Sequence, residues 1–160
     1  IGTLEHIDLL NTFTFSSKPF NKMKSKITFL FLVFTALSFS TFAQKQKHKI
    51  VFQLATDEVK EHGSLTRQLN NVLNYWPKAE IEVVVHSAAL EFMMNEKSSV
   101  KTEIQALMEK GVVFAVCQNT MKRKNVTESE IISGAMFVPV GIAEIVLKQE
   151  KGYSYIKAGY

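Results

Sequence analysis

The sequence predicts a single α/β domain, a three-layer sandwich in which helices cover both faces of a mostly parallel five-stranded sheet. Three observations predict it. Short runs rich in Val, Ile and Phe recur from Ile50 onward, as buried strands require. Stretches with apolar residues at helical spacing separate them. The two kinds of segment alternate, and that alternation is the pattern of a parallel sheet with a helix on each crossover.

The elements follow in order. Gln44–Lys49 is a polar, basic lead-in. Ile50–Ala55 (IVFQLA) reads as the first strand, and Thr56–Gly63 as a polar loop. Ser64 is placed to cap a helix in which Leu65, Leu69, Val72, Leu73 and Trp76 form one stripe, ended by Pro77. Ile81–Val85 (IEVVV) is the second strand, with His86 and Ser87 at its carboxyl end. A short helix is expected over Ala88–Met94. A second stripe, Val100, Ile104, Leu107 and Met108, is closed by Gly111 as a left-handed cap. Val112–Val116 (VVFAV) is the third strand, and Cys117 follows it directly. Thr127 and Glu130 have capping-box spacing, which starts a short helix near Glu128. Met136–Val138 is a short fourth strand stopped by Pro139, Val140–Lys151 a last helix stopped by Gly152, and Tyr153–Lys157 an alternating edge strand. A flavodoxin-like order, with strands two and three flanking strand one, is the expected topology; it would set His86 and Cys117 on one sheet edge without requiring contact.

The first 43 residues read differently. Lys24 and Lys26 precede an apolar, uncharged run from Ile27 to Phe39, and Ser40, Thr41 and Ala43 supply small residues for a signal peptidase. Residues 23–43 are therefore expected to be a signal peptide cut between Ala43 and Gln44. The run is short of the roughly 20 residues a membrane span needs. Residues 1–22 lie upstream of Met23 and read as an extension outside the natural product. The domain proper is then residues 44–160, periplasmic or secreted, with no membrane attachment after cleavage.

Charge and composition exclude several classes. The net charge is +4 over 160 residues, and residues 1–43 hold four Lys against two acids, so the domain is only mildly basic. That gives no case for nucleic acid. Lys122, Arg123 and Lys124 form the one basic run and read as a solvated loop. There is no Gly-x-Gly-x-x-Gly or Walker loop and no Ser-His-Asp signature, so no cofactor is expected. His48, His62 and His86 lack metal-ligand spacing, and no metal is expected.

Cys117 is the only cysteine, so no internal disulfide can form. Its place at a strand's carboxyl end is where parallel α/β sheets bind ligands. In an exported chain a lone thiol is either reactive or packed as a small hydrophobe, and both readings stay open. His86 is a base or hydrogen-bond partner on one reading and a structural histidine on the other. Gln118, Asn119 and Thr120 are neutral donors able to hold a small polar ligand, or ordinary loop residues. Gly141 opens the last helix, whose free N–H groups can hold an anion. A redox role is a third possibility, but with no resolving cysteine in the chain it would need a partner.

Five features stand in a distinctive order: a strand beginning near Ile50; Val83–His86; Gly111–Cys117 followed by Asn119 and Thr120; Val138–Gly141; and Gly152–Tyr153 with the closing strand. In this the chain resembles the DsrE/DsrF-like proteins over about Lys49–Gly159. The resemblance implies a small α/β sandwich assembled into trimers or hexamers. It also implies a strand-end cysteine, here Cys117, that carries sulfur as a persulfide between a donor and an acceptor protein. The alternative is a non-enzymatic, oligomeric small-ligand-binding or structural protein of the cell envelope.

Overall fold

A computed structural model describes residues 47–159. The expected upstream extension 1–22 and signal segment 23–43 lie outside the described residues. Five strands form one sheet: β1 (Lys49–Leu54), β2 (Glu80–Val85), β3 (Val113–Cys117), β4 (Met136–Val138) and β5 (Ser154–Ala158). All pairings are parallel, and the order is β4-β3-β2-β1-β5. The helices are α1 (Val59–Tyr75), α2 (Lys101–Glu109), α3 (Gln118–Lys124) and α4 (Gly141–Glu150), with 3-10 turns at Ser87–Met93 and Glu128–Glu130.

The strand order departs from the flavodoxin-like one in a way that matters for the site. Strand one is flanked by β2 and β5, and β3 lies beyond β2. The chain steps from β1 to β4 always in the same direction. Right-handed crossovers then put every intervening helix on one face. The return from β4 to β5 runs the other way, so α4 lands on the opposite face. The packing follows this rule. Leu65 and Leu69 of α1, Ile104 and Leu107 of α2 and Met121 of α3 share one core with Phe52, Val83, Phe114 and Val116. On the other face Ile145 of α4 packs alone over Val51, Val84, Ala115 and Val138.

The two faces are unequal. The first holds the fully buried Phe52, Phe92 and Phe114, each worth about 3–5 kcal/mol against truncation to Ala. On the second, α4 buries only Gly141 and Ile145, while Ile142, Val146 and Leu147 stay exposed, Ile142 by 53%. A buried ion pair reinforces the contact: Lys148 Nζ lies 2.5 Å from Glu82 Oε2 and 3.6 Å from Glu144 Oε1.

Two segments differ from the sequence expectation. Helix α1 begins at Val59, ahead of Ser64, so much of the expected loop 56–63 is helical. Nothing there breaks a helix: the Glu58 carbonyl accepts from the amides of Glu61 and His62. Buried His62 anchors the added turn through a 2.9 Å bond to the Thr56 carbonyl. This offsets the cost of up to about 1 kcal/mol for Gly63 inside the helix. The residues after Cys117 are likewise helical, forming α3, which ends at Asn125 with φ 51°. Lys122, Arg123 and Lys124 occupy its last turn rather than a loop, where the helix dipole favours cations.

The remaining elements stand as expected. Gly111 caps α2 with φ 89°, Thr127 and Glu130 form the capping box, and β5 is an edge strand.

Candidate functional site

Strands β2 and β3 are neighbours in register, with Val85 opposite Val116, so His86 and Cys117 come next side by side. Side chains alternate across a strand. Val84, Ala115 and Val138 face α4, and Cys117, two residues beyond Ala115, faces it too. The first residue of α4 therefore comes down onto the cysteine. A β-carbon on Gly141 would lie 3.2 Å from the Cβ atoms of both Cys117 and His86. A side chain at this position would force its neighbours to give by a few tenths of an ångström, so glycine suits the close approach.

That approach gives the sulfur a donor. The Gly141 N–H donates to Cys117 Sγ across 3.3 Å. Cys117 is also the residue from which α3 starts, so Asn119 and Thr120 of its first turn are close neighbours. Cys117 is 5% exposed, and burial by itself pushes its thiol up. The donors from Gly141, Thr120 and Asn119 together outweigh burial, and the thiol is held below its ordinary value. The thiolate is thus favoured by oriented N–H and O–H groups and needs no neighbouring cation.

His86 is 7% exposed and is held below its ordinary value, first by burial and then by the charge of Arg123. It is therefore a neutral imidazole at neutral pH. Its Nε2 lies 2.9 Å from Gln53 Nε2, and its Nδ1 lies 2.8 Å from Ser87 Oγ.

The structure brings together four of the six sequence candidates: Cys117, His86, Thr120 and Gly141. Gln118 instead donates from its side chain to Glu128 Oε1 at 3.2 Å. Asn119 turns its side chain to solvent and contributes only its amide, which also reaches the Pro139 carbonyl at 3.3 Å. Three residues at this edge escape sequence reasoning: Gln53, Ser87 and Tyr155. Gln53 carries a usable signal, being the one amide in an otherwise apolar strand. Ser87 carries none, since its φ of 57° is visible only in three dimensions.

A separate cavity of about 530 Å³ opens at the amino ends of β2 and β3, lined by Glu80, Glu82, Lys148 and Tyr153 among others. It lies at the far end of these strands from Cys117. Among the described residues no group of three or more His, Cys, Asp and Glu side chains could hold a metal, and no helix is long and apolar enough to cross a membrane.

The family model described as the DsrE/DsrF-like family matches residues 12–158. The chain belongs to this family. No curated protein matches it. Among solved structures, this DsrE/DsrF-like chain is similar to MTH1491 from Methanobacterium thermoautotrophicum, a protein of unknown function. The TM-score is 0.67 at 24% identity, over 69% of this chain and 99% of that one. It is similar also to BT1422 from Bacteroides thetaiotaomicron, a conserved protein of unknown function. There the TM-score is 0.57 at 21% identity, over 68% and 93% of the two chains. The ychN protein of E. coli matches with a TM-score of 0.56 at 13% identity, over 70% and 98%. These likenesses establish the fold; the family is one associated with sulfur relay.

Proposed function

We propose that this DsrE/DsrF-like protein is a thiol-based sulfur carrier or transferase of the cell envelope that loads one sulfur atom on Cys117 as a persulfide. The observation that supports it best is the Gly141 N–H donating to a buried sulfur whose thiol is held below its ordinary value. Family membership agrees with it.

The chemistry needs only a persulfide or polysulfide donor. The Cys117 thiol loses its proton to water. Its thiolate attacks the outer sulfur of the donor R–S–SH. A new S–S bond forms at Cys117, the donor S–S bond breaks, and R–S⁻ leaves with the electron pair. The outer sulfur keeps its proton, and no separate oxidant is consumed. Delivery is the same step in reverse, with an acceptor thiolate attacking the outer sulfur and Cys117 leaving. Donors that stabilise the thiolate serve it both as nucleophile and as leaving group.

The setting we propose is the periplasm or the exterior, reached through the signal at residues 23–43, with the domain assembled as a trimer or hexamer. A donor or acceptor protein is the expected partner.

The test is intact mass after exposure to inorganic polysulfide. The wild type should gain one sulfur, a reducing thiol should remove it, and Cys117→Ser should gain none. A wild type that stays unloaded, or an equal gain in the serine variant, refutes the reading.

A second reading has its own support. The 5% exposure of Cys117 and the exposed apolar residues of α4 suit a non-enzymatic oligomeric protein with a packed thiol. It expects slow alkylation of the native protein and fast alkylation once unfolded.

A further inference from the structure

The cavity at the amino ends of β2 and β3 is built differently from the cysteine edge. It holds about 530 Å³, and four lysines, Lys47, Lys78, Lys110 and Lys148, line it against two glutamates, Glu80 and Glu82. The glutamates stand two residues apart on β2 and so share one face of the sheet.

Glu80 has both oxygens partnered. Lys47 Nζ donates to Oε1 at 2.7 Å, and Tyr153 Oη donates to Oε2 at 3.1 Å. Glu82 does not. It is 2% exposed, Lys148 Nζ lies 2.5 Å from its Oε2, and its Oε1 has no hydrogen-bond partner among the described residues. Buried polar atoms are almost always paired, so an orphaned carboxylate oxygen in a residue that lines a cavity points to a donor from outside the chain.

The lysines divide in the same way. Lys47 and Lys148 are matched to the two carboxylates. Lys78 and Lys110 are exposed and pair with no acid among the described residues; Lys110 Nζ bonds the neutral Asn70 Oδ1 at 2.7 Å. The cavity therefore presents two uncompensated positive charges and one uncompensated acceptor. Together they specify a ligand: an anion, for the lysines, that brings a hydrogen-bond donor of its own, for Glu82.

We propose that this cavity binds a small oxyanion that carries a proton, with hydrogenphosphate as the simplest case. Lys78 and Lys110 attract the anion, and its O–H donates to Glu82 Oε1, while Lys148 keeps hold of Oε2. The volume admits the ion together with bridging waters. Sulfate is the contrast. At mildly alkaline pH both ions are tetrahedral dianions, but phosphate keeps one proton and sulfate none. Sulfate would set a bare oxygen against the carboxylate oxygen with no hydrogen between them. The cavity lies at the opposite end of these strands from Cys117, and the inference does not rest on the carrier reading.

The test is an NMR titration of the purified protein with inorganic phosphate and, separately, with sodium sulfate, at mildly alkaline pH and constant ionic strength. Both salts stabilise proteins by exclusion from their surfaces, so the reading is the saturable shift of the Ala79 and Gly111 amides and not the melting temperature. Phosphate should saturate those shifts at a concentration at least about tenfold below sulfate, the size of one hydrogen bond to a charged group. Glu82→Gln keeps the shape of the side chain, removes its charge and should erase the preference. Lys78→Ala combined with Lys110→Ala changes only exposed side chains and should weaken the binding of phosphate. No saturable shift with phosphate, or equal saturation by the two anions in the wild type, overturns the proposal. So does a preference that survives Glu82→Gln, or phosphate binding unchanged in the lysine double variant. If Glu82→Gln does not fold, the wild-type comparison and the lysine variant decide without it.

Discussion

Gly141 and Cys117 meet backbone to sulfur. The Gly141 N–H donates to Sγ at 3.3 Å, and the missing β-carbon of the glycine marks a gap of 3.2 Å to the Cβ of the cysteine. One contact thus joins the start of α4 to the start of α3, and it sets both the acidity and the enclosure of the thiol.

Gly141→Ala should break that contact. The new methyl group would press on Cys117, His86 and Val84, all three within 3.3 Å and all buried. Overpacking of this kind costs about 1–3 kcal/mol. The cheaper response is for α4 to lift at its first turn. We expect a lower denaturant midpoint, a thiol midpoint moved upward and faster alkylation of the thiolate. An unchanged thiol midpoint would show that the amide is not what holds the sulfur.

His86 makes folding sensitive to mild acid. Its pKa in the fold lies below the ordinary 6.5, chiefly through burial and secondarily through Arg123. The unfolded chain takes up the proton first as pH falls. The stability His86 contributes is therefore present above about 6.5 and is lost as pH drops toward and through the lower folded value. His86→Asn should flatten that slope in denaturant titrations. Arg123→Gln should move the imidazole midpoint, followed by NMR, part of the way back up, because burial remains.

The ion pair under α4 is asymmetric. Burial raises Glu82, and Lys148 only partly opposes it; Glu82 Oε1 has no hydrogen-bond partner among the described residues. Lys148 is raised as well, because Glu82 more than offsets its own burial. Removing the cation strands a buried carboxylate, so Lys148→Met should cost about 3–5 kcal/mol near neutral pH. Glu82→Gln should cost much less. A raised carboxyl stabilises the fold below its unfolded value of 4.5, and that contribution fades as pH rises through the folded value. Lys148→Met should therefore recover stability on mild acidification, and Glu82→Gln should not. Equal losses in the two variants at every pH would contradict this account.

The signal peptide proposed at residues 23–43 makes a plain prediction. Expression from Met23 in a bacterial host should yield exported protein whose first residue is Gln44. An unprocessed product retained in the cytoplasm would remove the envelope from the proposed function.

Much of the fold was legible because the apolar pattern is strong. The Val-rich runs at Val83–Val85 and Val112–Val116 are buried by a parallel sheet, and they read as strands. Gly111 and the pair Thr127 with Glu130 marked ends that depend on local backbone chemistry alone. The start of α1 was misplaced because Ser64 is a good cap and Gly63 a poor helix former. The tertiary bond from His62 to the Thr56 carbonyl decided the matter. The strand order could not be read, since it depends on which way each crossover turns. At the site, Cys117, His86 and Gly141 were visible as residue types at strand and helix ends. Their meeting was not, because it follows from β3 lying next to β2 and from α4 returning over both.

Tyr155 and Gln53 are 102 residues apart, yet the Tyr155 hydroxyl donates to the Gln53 side-chain oxygen from β5 to β1. A chain emerging from the ribosome makes Cys117 well before the strand that completes the sheet. The bond from Tyr155 to Gln53 can form only once β5 pairs with β1. The side of β1 away from β2 therefore stays an open edge until the last strand of the chain arrives to cover it.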